Sequence, residues 1–164
     1  GAPRRVAVPP APCAEPGPCA NLRRGLMSLK VELKPGEKII IGESLITNDS
    51  QRTRLFIEGS APILREKDIL TPATANTPAR RIYLIVQLMY LARNVEKLKD
   101  EYFSSINEFI LASPSSIGYI TDISKNILSG NLYRALKEAK LLIEHERRLI
   151  DHVSASGSGL PSGQ

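Results

Sequence analysis

From Leu29 the chain alternates, with Leu29, Val31 and Leu33 apolar and Lys30, Glu32 and Lys34 charged. A period of two is the mark of a strand with one buried face. Lys34-Pro35-Gly36-Glu37 reads as a turn, because Pro sets φ at the second position and Gly accepts a positive φ at the third, as type II requires. Lys38 to Ile41 predicts a second strand, and Gly42 a bulge or tight bend. Ser44 to Thr47 continues that strand or starts a third, and Asn48-Asp49-Ser50 is a turn by composition. Arg52 to Glu58 predicts another strand ended by Gly59, and Ile63 to Glu66, past Pro62, a short edge strand. Together these segments predict a small, mostly antiparallel, barrel-like sheet.

After residue 71 the period changes to 3.6. Thr77-Pro78 has the form of a helix start, an N-cap followed by Pro at the first helical position. The helix from Pro78 to about Arg93 is apolar nearly all round, so it is expected to be the central buried helix or an oligomer contact, with Leu88 or Met89 in the core. Val95, Leu98, Tyr102, Ile106, Phe109 and Ile110 predict a stripe on a second helix, ended at Ser113-Pro114. Ile117, Ile120, Ile123 and Ile127 predict a third, closed by Gly130. Asn131 then caps a long fourth helix, with Leu132, Leu136, Ala139, Ile143 and Ile150 on one face. Short connections imply antiparallel neighbours. Strands first and helices after make the fold class α+β: a β-rich half followed by an antiparallel helical bundle.

Composition adds two flanking regions to this picture. Residues 1–26 hold six of the twelve Pro and both Cys of the 164-residue chain. Such Pro density opposes helix and ladder alike, so a disordered leader is expected, with Met27 the natural start of the patterned sequence. The Gly/Ser-rich end, SASGSGLPSGQ, predicts a flexible tail. The expected organisation is a leader over 1–26, a β-rich module over 27–70, a helical bundle over 71–153 and a tail over 154–164. Of the net charge of +5, the leader carries +3, leaving the patterned core close to neutral. No apolar run reaches the ~20 residues of a membrane helix. The core has no Cys and no secretory signal opens the chain, in keeping with a cytoplasmic address.

The residues for catalysis are not assembled in the sequence. The two His, His145 and His152, fall among charged residues of the last helix and read as a solvated face. Glu144 and Glu146, two apart on a helix, point to different faces. No zinc-protease motif, phosphate loop, dinucleotide glycine pattern or nucleophile elbow occurs. The chain is therefore read as not an enzyme, with no catalytic residue, metal or cofactor.

Positive charge collects in the β-rich half, at Lys30, Lys34, Lys38, Arg52, Arg54, Arg65 and Lys67. Even spacing on a strand puts Lys30 with Lys34, and Arg52 with Arg54, on shared faces. Such a face is either the solvated exterior of a sheet or a surface that contacts an RNA backbone. Arg80-Arg81 at a helix start opposes the helix dipole and points to a partner or a nearby carboxylate.

Four stretches, MSLKVELKPGEKIIIGESLITN, QRTRLFIEGSAPILREKDIL, TPARRIYLIVQLMYL and ILSGNLYRALKEAKLLIEHE, resemble the FlbT family of bacterial flagellum biosynthesis repressors, from Met27 to about His145. The resemblance implies a post-transcriptional repressor that associates with the 5′ untranslated region of flagellin messenger RNA and promotes its decay. Within it, PGEKIIIGES and RTRLFIEGSAP followed by Leu64-Arg65-Glu66 are similar to the carbon storage regulators, small dimeric β proteins that bind messenger leaders. That second likeness implies RNA contacts at Lys34 and at Arg65, although the spacing from Ala61-Pro62 to Arg65-Glu66 is shorter here. The candidate RNA-binding residues are Lys34, Arg52, Arg54 and Arg65. The expected partner is the flagellin mRNA leader, and self-association is a further expectation. The alternative is a protein-interaction adaptor that reads flagellin or a flagellin export chaperone through its helices.

Overall fold

The structure, a computed structural model, describes residues 28–157. The leader over 1–26 and the tail beyond Gly157 lie outside the described residues. The element order is β1 (Leu29–Leu33), β2 (Lys38–Ile41), β3 (Ser44–Thr47), β4 (Thr53–Ile57), β5 (Ile63–Arg65), α1 (Pro78–Ala92), α2 (Lys99–Ala112), α3 (Ile117–Leu128) and α4 (Leu132–Ser156). This is the α+β arrangement that the change of period predicts.

The strands form two antiparallel sheets where the sequence suggests one: a β1–β4 ribbon and a three-stranded sheet ordered β3-β2-β5. The division follows from β2. Its run Ile39-Ile40-Ile41 does not alternate with polar residues, and each face of a strand needs its own apolar cover. Ile39 is fully buried with Val31 and Leu33 in a small core between the sheets. Ile40 and its partner Leu64 belong instead to the large helical core. The turn after β1 is the predicted type II: Gly36 has φ 73° and the Glu37 amide donates to Lys34 O at 3.1 Å. Gly42 (φ 62°) turns the two-residue β2–β3 hairpin.

Thr77 caps α1, its hydroxyl accepting from the Arg80 amide at 3.3 Å. Glu146 is buried at the start of α1 and accepts from the Ala79 amide at 3.1 Å, while the Arg80 guanidinium donates to Asn76 Oδ1 at 3.0 Å and neither Arg80 nor Arg81 forms an ion pair among the described residues. An anion at a helix N-terminus complements the dipole and satisfies a donor that has no partner within the helix. Between α3 and α4, the Gly130 (φ 76°) amide donates to Ile127 O and the Asn131 amide to Asn126 O, a Schellman ending.

α1 packs against both α2 and α4, and α3 packs on α4. Its buried side is Ala79, Ile82, Tyr83, Ile85, Val86, Gln87 and Met89. Of the two core candidates, Met89 is fully buried whereas Leu88 is 43% exposed, because two neighbouring helices cannot cover α1 on all sides. Two more stripe ends also stand in solvent. Ile117 sits at the first residue of α3, and Ile150 lies beyond the last turn of α4 that the shorter helices can cover. The buried line of α4 is Ala135, Leu136, Ala139, Leu142 and Glu146. α4 also runs to Ser156, taking in the first three residues of the expected tail. The Ser154 and Ser156 hydroxyls donate to the Ile150 and His152 carbonyls and so keep their polar groups inside the helix's own hydrogen bonding.

A polar row hidden in the apolar pattern of α1 joins the two halves. Tyr83, Gln87 and Tyr90 occupy i, i+4 and i+7, one helix face. The Tyr83 hydroxyl donates to Asp68 O at 2.6 Å. The Gln87 amide both accepts from Leu70 N (2.8 Å) and donates to Leu70 O (2.9 Å). The Tyr90 hydroxyl meets the backbone N–H and C=O of Ile63 in β5. Burial, and then the Asp68 charge, push the Tyr83 phenol well above its ordinary range. Gln87→Ala is expected to cost ~1–3 kcal/mol, since both Leu70 groups lose their partner. Urea unfolding checks this; a loss under ~0.5 kcal/mol would show that the row does not hold the halves together.

Candidate nucleic-acid interface

The register of the ribbon sets its outer face. Lys30 pairs with Phe56 and Glu32 with Arg54, while Val31 and Leu33 point inward and are buried. Arg54, Phe56, Lys30 and Glu32 are all exposed. Lys34 follows β1 and Arg52 precedes β4, so both stand at the same end of the ribbon, Leu33 pairing with Thr53. Asn48 holds that end together: its side-chain amide reaches Leu33 O (3.2 Å), Lys34 O (2.8 Å) and Gln51 O (2.8 Å). Composition marks Asn48 only as a turn residue, and its role as a tie between loops has no signal in the sequence.

The Arg52 guanidinium lies 4.0 Å from the Glu32 carboxylate, both side chains exposed. Such a contact contributes little to stability in water. Among the described residues Lys30, Lys34 and Arg54 form no ion pair. Three of the four sequence-predicted site residues, Lys34, Arg52 and Arg54, therefore share one end of the ribbon.

Arg65 is placed elsewhere. It is half-buried in β5, pairs with Ile39, and lines a groove of about 420 Å³ with Lys30, Asp68, Tyr90 and Tyr133. That groove also borders the Leu29 end of β1, five residues from Lys34 and on the order of 16 Å away at the usual strand rise. The Tyr90 and Tyr133 rings pack at 5.9 Å between centroids, and the Lys137 ammonium lies 4.8 Å over Tyr133. Lys30 connects the two surfaces, since it lines the groove and sits on the ribbon.

Tyr90 and Tyr133 come from different helices, and nothing in the sequence links them to Arg65. Phe56 is not among the residues the sequence singles out, although its parity with Arg52 and Arg54 on one strand face is the signal that places it beside them. His145 departs from its expected solvated setting. It is half-buried, stacked on Tyr119 at 4.8 Å, with Nε2 3.2 Å from Ser115 Oγ. Among the described residues no three His, Cys, Asp or Glu side chains gather as a metal site, and no helix is long and apolar enough to cross a membrane.

Fold and surface thus define an α+β protein whose helices carry the main core and whose β-ribbon turns a cation-rich face to solvent. Within that class, the chain belongs to the FlbT family: the model of the family described as Flagellar protein FlbT matches residues 29–150. It is 55% identical over 124 residues to the probable flagellum biosynthesis repressor protein FlbT 1 of Bradyrhizobium diazoefficiens, covering 75% of this chain and 85% of that one. It is 55% identical over 124 residues to the probable repressor FlbT of Rhodopseudomonas palustris, covering 76% and 98%. The flagellum biosynthesis repressor protein FlbT of Caulobacter vibrioides is 38% identical over 140 residues, covering 84% and 97%. No solved structure matches the chain.

Proposed function

We propose that this protein represses flagellin synthesis after transcription, by binding the 5′ untranslated region of flagellin messenger RNA and promoting its degradation. The relatives' names support repression of flagellum biosynthesis. The observation that carries the RNA reading is the ribbon end: Lys34, Arg52 and Arg54 are exposed together, with only Arg52 held by a carboxylate. Phosphate binding needs this kind of cation cluster and no further chemistry. The protein acts as a regulator and not as a catalyst: bound to the leader, it blocks that segment or exposes it to cellular nucleases. Its place is the cytoplasm, where the messenger is.

A second reading, as an adaptor for flagellin or its export chaperone, is favoured by the helical half. Exposed Phe103 and Leu128 line one groove of about 220 Å³. Crosslinking the protein to RNA in cells and sequencing the recovered RNA separates the two. The expected result is enrichment of flagellin leader. Recovery of flagellin or its chaperone with no RNA above background would favour the adaptor.

A further inference from the structure

The solvated face of the ribbon carries one residue that ordinary strand patterning does not explain. Phe56 lies in the fourth position of β4 and is 67% exposed, although the inward positions beside it, Leu55 and Ile57, already supply the apolar face. Its cross-strand partner is Lys30, and Arg54 precedes it on the same face. Neither cation forms an ion pair among the described residues. A large ring standing in water between two free cations suits a ligand with an unpaired π-face and a regular negative charge.

We propose that Phe56 is a stacking platform for an unpaired RNA base, with Lys30 and Arg54 on the phosphates that flank it. This deepens the RNA reading above and rests on it. The ring supplies what the cations cannot. Phosphate contacts alone do not distinguish single strands from duplex, whereas stacking needs a base free of its partner. The ribbon therefore selects unpaired segments of a messenger leader. Charge complementarity decides the occupant: an apolar partner helix would desolvate Lys30, Arg54 and the neighbouring Glu32, whereas RNA uses both cations while leaving Glu32 in water.

The chain contains no Trp, so Phe56→Trp creates a single fluorescent reporter at the proposed site. The test uses the full chain, a labelled single-stranded RNA of about 12 nucleotides, and the same sequence as a duplex. Phe56→Trp is expected to bind the single strand at least as tightly as the unaltered protein, with quenched emission. Phe56→Leu keeps apolar bulk but loses the π-face, and Phe56→Ala loses both; each is expected to weaken single-strand binding about 5- to 100-fold and duplex binding little. Circular dichroism and light scattering on each variant should match the unaltered protein, since the exposed ring supports neither fold nor assembly. Equal single-strand affinity for all variants, with the unaltered protein binding, would overturn the stacking role and leave the RNA reading standing. So would loss of self-association in Phe56→Ala, which would make the ring a contact between copies. No RNA binding by the unaltered protein would overturn both.

Discussion

Met89→Ala is expected to lower the free energy of unfolding by ~2–5 kcal/mol, while Leu88→Ala, one residue away, is expected to cost less than ~1 kcal/mol. Met89 is completely buried in the helical core with Ile82, Val86 and Leu142, whereas Leu88 is 43% exposed. Truncating Met89 removes its transfer free energy and leaves a cavity between α1 and its neighbours. The same change at Leu88 removes surface that water already reaches. Urea denaturation of both variants measures the difference. Equal losses would mean that α1 is covered on all sides, as the bare hydrophobic pattern suggests.

The triple variant Lys34→Ala, Arg52→Ala, Arg54→Ala is expected to lose most of its RNA affinity, and its salt dependence should flatten by ~0.7 for each phosphate contact removed on a single strand. Arg52→Ala should weaken binding more than a lost contact alone, because it leaves Glu32 uncompensated on the binding face. Arg65→Ala is expected to behave differently. Its side chain lies in the groove with Tyr90 and Tyr133, where a planar guanidinium can read a base, so the loss should be ~1–3 kcal/mol and should blur sequence preference. Binding curves at several salt concentrations, with circular dichroism to exclude unfolding, separate these outcomes. Uniform weakening by Arg65→Ala across all sequences would make it one more phosphate contact.

Much of the fold was legible because it rests on local signals. The alternation of β1, the Pro35-Gly36 turn, the Thr77-Pro78 start and the Gly130 ending each act within a few residues, and all four take their expected form. What the sequence does not disclose depends on neighbours distant in the chain. Whether Leu88, Ile117 or Ile150 is covered depends on where other helices end. The split into two sheets depends on Ile40 finding the helical core rather than a partner in the ribbon. The same holds for the site. The parity of Arg52 and Arg54 is a local fact, and the structure keeps them on one ribbon end with Lys34. Placing Arg65 beside Tyr90 and Tyr133 requires the packing of β5 against α1 and α4, which no spacing encodes. Glu146 is the clearest case: the free Ala79 amide at the start of α1 finds its acceptor in a carboxylate 67 residues later.

The central claim, that the β-ribbon holds RNA through its cations, is tested most directly by titrating flagellin leader RNA with the purified full chain at rising salt. The account predicts binding whose logarithmic affinity falls linearly with the logarithm of salt concentration, with a slope of about −0.7 per phosphate contact on single-stranded segments. The triple ribbon variant should give a shallower line. Binding that is absent at low salt, or a slope unchanged by removing Lys34, Arg52 and Arg54, would contradict it.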